Sequence, residues 1–175
     1  GQYQPVAGLP YCLPCLPGEF GDAPGMEVCD RCPAGRVSRF SGMHNCSKCH
    51  AGQYQSIDAQ AACLPCIPGK FANVTGMILC HECALGKVSE GANATRCSDC
   101  DAGQSSDTKG SAKCTSCGAG KYSDTKGEDC QDCPGGWRRG ADEAPENCLR
   151  CALGETTKSG AMSCDTCDLG KYGNP

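Results

Sequence analysis

The stretch Cys29-Asp-Arg-Cys32-Pro-Ala-Gly35-Arg-Val-Ser-Arg-Phe-Ser-Gly42-Met-His-Asn-Cys46-Ser-Lys-Cys49 decides the fold. Two CxxC pairs stand 17 residues apart, with one glycine three residues after the first pair and a second glycine seven further on. Outward from it the chain carries ten such pairs, at 12/15, 29/32, 46/49, 63/66, 80/83, 97/100, 114/117, 130/133, 148/151 and 164/167. The first seven are spaced by 17 residues, and the last three steps are 16, 18 and 16. A glycine follows every pair at the same offset, from Gly18 to Gly170. A fixed period of this length is the signature of a repeat architecture.

A longer period is superimposed. Gly1-Gln-Tyr-Gln returns as Gly52-Gln-Tyr-Gln, and Cys12-Leu-Pro-Cys15 as Cys63-Leu-Pro-Cys66. Residues 1–51 and 52–102 agree at 22 of 51 positions, only 6 of them cysteine. Three units thus form one super-repeat, giving segments 1–51, 52–102, 103–153 and a partial 154–175. The chain reads as a window from a longer array.

Composition narrows the class. Of 175 residues, 20 are Cys and 24 are Gly, whereas Leu, Ile, Val and Phe together also number only 20. So few apolar side chains cannot fill one ordinary core. No apolar run is long enough for a membrane span, and no membrane insertion of this segment is expected. The net charge of −4 divides as 0, −2 and −2 over 1–51, 52–102 and 103–175, with no basic stripe for nucleic acid. Cysteine at this density marks a disulfide framework in an oxidising, extracellular setting.

Each segment between pairs predicts a short β-hairpin. The first glycine lets the chain bend, and the aromatic or β-branched residue two positions later starts a strand of three or four residues. The second glycine, as at Gly25, Gly42, Gly76, Gly110 and Gly127, sits where a turn needs positive φ. Asn93 substitutes for it tolerably, and Ala59 is a misfit. No segment has a helical period, so helix content should be near zero. The expected fold class is therefore a small disulfide-rich repeat protein, an elongated rod of short β-hairpins. Its aromatics Tyr11, Phe20, Tyr54, Phe71, Tyr122, Trp137 and Tyr172 are expected as miniature core residues over the cystines.

Three chemistries could use paired cysteines. Zinc needs thiolates in a reducing compartment, and the sequons at Asn45, Asn73 and Asn93 belong to secreted proteins. Dithiol catalysis needs a βαβ frame around one CxxC, which ten near-identical copies lack. Structural disulfides remain, with no metal and no cofactor. His44, His50 and His81 are scattered and expected in solvent, and no catalytic constellation is present, so no enzyme is expected.

Connectivity follows from the periods. Pairing neighbouring CxxC units two by two repeats every second unit and conflicts with a super-repeat of three. Joining the second Cys of one pair to the first of the next repeats every unit and is compatible. It gives Cys15–Cys29, Cys32–Cys46, Cys49–Cys63, Cys66–Cys80, Cys83–Cys97, Cys100–Cys114, Cys117–Cys130, Cys133–Cys148 and Cys151–Cys164. Cys12 and Cys167 would then pair beyond the window. Each loop removes about 3 kcal/mol of unfolded-state entropy on the loop-closure model.

The unit CxxC-x-x-G-x-[YF]-x4-G-x3-C resembles the ephrin-receptor-like cysteine-rich repeat. It is also similar to the first half of the tumour necrosis factor receptor module and, more broadly, to EGF-like repeats. Pro33-Ala-Gly35 and Gly118-Ala-Gly-Lys-Tyr122 match the receptor loop, but the receptors' second loop type is absent. Uninterrupted arrays of this kind resemble those of protist surface and flagellar-hair (mastigoneme) proteins. The resemblance implies a structural, glycosylated, extracellular rod or filament subunit at the cell surface, with self-assembly or other filament proteins as partners. The alternative is a receptor or adhesion ectodomain for a protein ligand. Contact candidates are Tyr54, in the recurring Gln-Tyr-Gln face, and Trp137, Arg138 and Arg139 in the one unit with an extra residue.

Overall fold

The computed structural model describes residues 1–8, 10–168 and 170, which leaves Tyr172 outside the described residues. Among them there is no helix, and the strands form ten antiparallel two-stranded hairpins. The first pairs Gln2–Tyr3 with Leu13–Pro14, and the last pairs Glu155–Thr156 with Asp165–Thr166. In every hairpin the return strand is the two residues inside a CxxC. The strands are thus two residues long, shorter than the three or four that the sequence suggests. At one end the ladder closes on the leading glycine, whose carbonyl accepts from the second half-cystine, as in Cys32 N–H to Gly18 O at 2.9 Å; at the other, the residue three after that glycine turns to a later hairpin instead, as in Ser38 N–H to Gln60 O at 3.4 Å.

Nine disulfides join the second Cys of each pair to the first Cys of the next, from Cys15–Cys29 to Cys151–Cys164. Their Cα–Cα separations stay between 5.5 and 5.8 Å although the loops span 13 to 15 residues. Cys12 and Cys167 are unpaired.

The residues fall into two compact units, one of 1–82 with 91–96 and the other of 83–90 with 97–175. In the first unit each hairpin hydrogen-bonds to its successors through backbone. The leading glycine donates to a carbonyl twenty residues on, as in Gly18 N–H to Ser38 O (2.9 Å) and Gly35 N–H to Gln55 O (2.7 Å). The turn residue two hairpins later donates back to the buried half-cystine, as in Ala59 N–H to Cys32 O and Gly76 N–H to Cys49 O, both 2.8 Å. The second unit repeats the scheme, for example Gly103 N–H to Ser123 O (2.6 Å) and Gly127 N–H to Cys100 O (2.9 Å). A hairpin of two residue pairs is not stable alone; here successive hairpins supply the missing partners.

Gly35 shows why the leading position admits only glycine. Its φ is 79°, and a β-carbon there would overlap the carbonyl oxygen of Gly76. At the turn position Ala59 and Asn93 adopt φ of 57° and 61°, the left-handed conformation expected of the glycines they replace.

The core of each unit is a column of half-cystines. Cys15, Cys32, Cys49 and Cys66 are fully buried in the first, and Cys83 and Cys133 in the second. A second column stands three residues after each leading glycine: Ser38, Gln55 and Ala72 in the first unit, and Ser89, Ser106, Ser123 and Arg139 in the second. Most of these residues are small because the backbones approach closely, and the two long ones, Gln55 and Arg139, end on backbone carbonyls. Ser38 shows the local chemistry: its Oγ accepts from Gly18 N–H and donates to Glu19 O, both at 2.8 Å. The aromatics divide: Phe20, Tyr54, Phe71 and Tyr122 are half-buried, whereas Tyr11 and Trp137 are exposed.

Candidate functional site

Among the residues expected to make contacts, the hairpin closed by Cys133–Cys148 departs most from its neighbours. Its loop spans 15 residues, the longest of the nine. Trp137 lies on its outer strand opposite Arg150 and is exposed. Arg138 pairs with Glu143, whose carboxylate also accepts from Gly140 N–H at 2.7 Å. That backbone hydrogen bond first, and the Arg138 guanidinium second, hold the Glu143 carboxyl below its ordinary range.

Arg139 is not on the surface with them. It occupies the inward column and is 2% exposed. Its guanidinium donates to the carbonyls of Lys121 (2.5 Å), Gly118 (2.9 Å), Glu143 (3.2 Å) and Cys117, and at 3.5 Å to Gly140. The Cys117 carbonyl explains the arrangement. Its counterparts, Cys100 and Cys133, accept a backbone N–H from the turns at Gly127 and Gly160. In this hairpin the extra residue and Pro145 alter the turn, and a β-carbon on Gly103 would stand 2.6 Å from the Pro145 ring. Arg139 supplies the donor that Cys117 otherwise receives from a turn. A buried cation requires this many carbonyl partners to offset its lost hydration. The signal was in the sequence, in that one repeat places arginine where the others place Gly, Ser, Thr, Ala or Gln, but its meaning depends on the inward direction of that column.

Tyr54 is half-buried, and its backbone bridges in parallel to Met77. It lines a cavity of about 190 Å³ with Ile67 and Leu79. The three sequon asparagines are all exposed. Asn73 stands beside the Ala72 rung, and Asn93 occupies a turn, its side-chain oxygen within 3.4 Å of Gln53 Nε2. Asn45 directly precedes the half-cystine Cys46.

The histidines are exposed, but two have neighbours that the sequence did not suggest. His44 Nδ1 lies 2.8 Å from the amino group of Gly1, and the His81 ring lies 5.8 Å from that of Phe71 across its hairpin. One cluster of metal-ligating residue types occurs among the described residues, at Cys151, Glu155 and Cys164. Its two sulfurs are already joined to one another, which leaves no thiolate for an ion. No helix among the described residues is long and apolar enough to cross a membrane. A feature that composition concealed is the surface of the first unit, where Leu16, Val28, Phe40, Ile57, Ile67 and Val74 are each more than half exposed.

Compared with known proteins, the chain matches no family model and no curated protein. What is shown is therefore the architecture: a cysteine-rich repeat of short antiparallel hairpins, each stapled by a disulfide to the next pair.

Proposed function

We propose that this chain is a structural extracellular protein, a disulfide-stapled rod or filament subunit of a surface or flagellar-hair assembly, without catalytic activity. The observation that carries the reading is the uniform bonding of successive hairpins within each unit. The same disulfide and the same glycine-to-carbonyl bond recur every 16 to 18 residues, and so does the turn-to-half-cystine bond except at Cys117, where Arg139 replaces it. A quasi-one-dimensional array of this kind transmits load along its backbone and needs no single reactive centre. Its cysteine density, 20 in 175 residues, supports an oxidising compartment. N-glycans at Asn73 and Asn93 fit the exposure of both side chains.

A second reading, an ectodomain that binds a protein ligand, draws support from the exposed apolar residues of the first unit. Small-angle scattering with negative-stain imaging separates the two. Ten stacked layers at about 10 Å would span on the order of 100 Å, a radius of gyration of about 29 Å for a thin rod, whereas a compact chain of this length has one of about 16 Å. Extended particles that join into filaments support the structural reading. Monomers at every concentration overturn it in favour of the ectodomain.

A further inference from the structure

At the first position of each hairpin, five of the ten cross-strand pairs set two charged residues against each other, and in four of the five the charges are opposite. Lys70 faces Glu82, Lys87 faces Asp99 and Lys121 faces Asp132, and each of these is an ion pair. Glu19 faces Arg31 in the reverse sense. The third hairpin breaks the pattern, because Arg36 faces Lys48. Like charges directly opposite one another destabilise a strand pair.

No ion pair among the described residues offsets that charge, although Arg36 donates to the Cys46 carbonyl at 3.2 Å. From Arg31 to Ile57 the sequence contains no Asp or Glu. Asp58, the next acid, accepts from Ala34 N–H at 2.8 Å. None of the ion pairs among the described residues uses Arg36, Arg39 or Lys48. Arg39, Lys48 and His50 line one cavity of about 240 Å³, together with Val37, Phe40 and Met43. Val37 is buried beneath it, and Phe40 is 69% exposed at its edge. The site is a cationic pocket with an apolar floor and an aromatic lip.

The second unit holds the complementary charge. In the loop 124–129, Asp124, Glu128 and Asp129 are exposed and take part in no ion pair among the described residues. The one lysine of that loop, Lys126, is spent on Asp101 at 2.8 Å. Asp129 accepts from the Ser105 hydroxyl, at 3.0 Å, and Asp124 from that of Thr125, at 3.1 Å.

We propose that the pocket formed by Arg39, Lys48, His50 and Phe40 docks the acidic loop 124–129 of a second copy of this chain. The inference rests on the assembly reading above and names the contact. Pocket and loop are different surfaces, so the interface is heterologous and leaves one copy of a pair with a free loop and the other with a free pocket. Such contacts propagate into an open chain unless the rotation between copies closes a ring. Carboxylates crossing the pocket would also relieve the repulsion between Arg36 and Lys48.

The test uses the full chain with its disulfides intact, followed by sedimentation velocity. Raising salt to about 0.5 M, where screening is nearly complete beyond a few ångströms, should weaken association. The double variant R39E/K48E should weaken it about tenfold, and E128K/D129K by a similar factor, because each sets like charges against one another. An equimolar mixture of the two variants should recover assembly, since every pocket then finds a loop of opposite charge. That recovery also shows that neither variant is misfolded. Filaments that persist through salt and both variants overturn the docking site while leaving the assembly reading intact. Wild-type monomers at every concentration overturn both. Failure of the mixture to assemble, or retention on a sulfated polysaccharide that R39E/K48E abolishes while self-association is unchanged, overturns the second copy as occupant.

Discussion

Replacing Arg139 by Ala tests whether a side chain has taken over a backbone hydrogen bond. The substitution removes the donors to five carbonyls, those of Cys117, Gly118, Lys121, Gly140 and Glu143. The Cys117 carbonyl is buried and, once orphaned, costs about 1–3 kcal/mol. The other four lie at part-buried sites that water can reach once the arginine is gone, so each loses about 0.5 kcal/mol. The sum is about 3–5 kcal/mol, large for one residue outside an apolar core. R139K should fall between, because an ammonium cannot reproduce the planar fork across several carbonyls. The assay is amide hydrogen exchange with disulfides intact, since a repeat array opens locally before it unfolds globally. Protection should drop at Gly120 and Ser123, which donate to the carbonyls of Arg139 and Pro145, and stay unchanged at Gly35 and Gly52 in the other unit. Unchanged protection throughout, with a stability loss under about 1 kcal/mol, would show that the array does not need the guanidinium.

Further outcomes follow from single residues. A59G should stabilise the first unit by about 1 kcal/mol in a thermal melt, because Ala59 is held at a φ of 57°; a lower Tm contradicts the strain argument. G35A should destabilise by on the order of 2–4 kcal/mol, because the methyl group meets the Gly76 carbonyl as well as a φ of 79°; near-wild-type stability would show that the hairpins can move apart cheaply. Glu143 is held below its ordinary pKa in the folded chain, so its contribution is complete above the unfolded carboxylate range and is lost as pH falls through the lowered value. The Gly140 amide chemical shift should follow that acid transition and E143Q should abolish it; a transition that persists in E143Q points elsewhere. Peptide mass spectrometry of native material should find N-glycans at Asn73 and Asn93, and two unmodified sites would weaken the extracellular reading.

The disulfide pairing and the hairpin type were legible because both follow from covalent period: one scheme repeats every unit and the other does not. The turn position was legible too, down to the strained Ala59, since positive φ leaves a local trace in glycine and asparagine. The strands are shorter than expected because β-propensity speaks for the residues after the glycine but not for the third of them, whose N–H bonds to a later hairpin, as Ser38 does to Gln60 and Gln55 to Met77. The second demand on the leading glycines was hidden for a different reason. Gly35 meets Gly76, 41 residues away, and no local pattern reveals which backbone stands over which. Arg139 combined both difficulties: next to Trp137 and Arg138 it reads as part of a surface cluster, yet its place three residues after Gly136 turns it inward. The pocket at Arg39 and Lys48 needed the cross-strand register, which sets Arg36 against Lys48.

The central claim is that every second half-cystine closes on the first of the next pair, so that each hairpin is stapled to its successor. Peptide mapping of unreduced protein, digested under acid conditions that block exchange, tests it most directly. The account predicts a fragment linking Cys32 to Cys46 and one linking Cys15 to Cys29. A fragment linking Cys29 to Cys46 would contradict it.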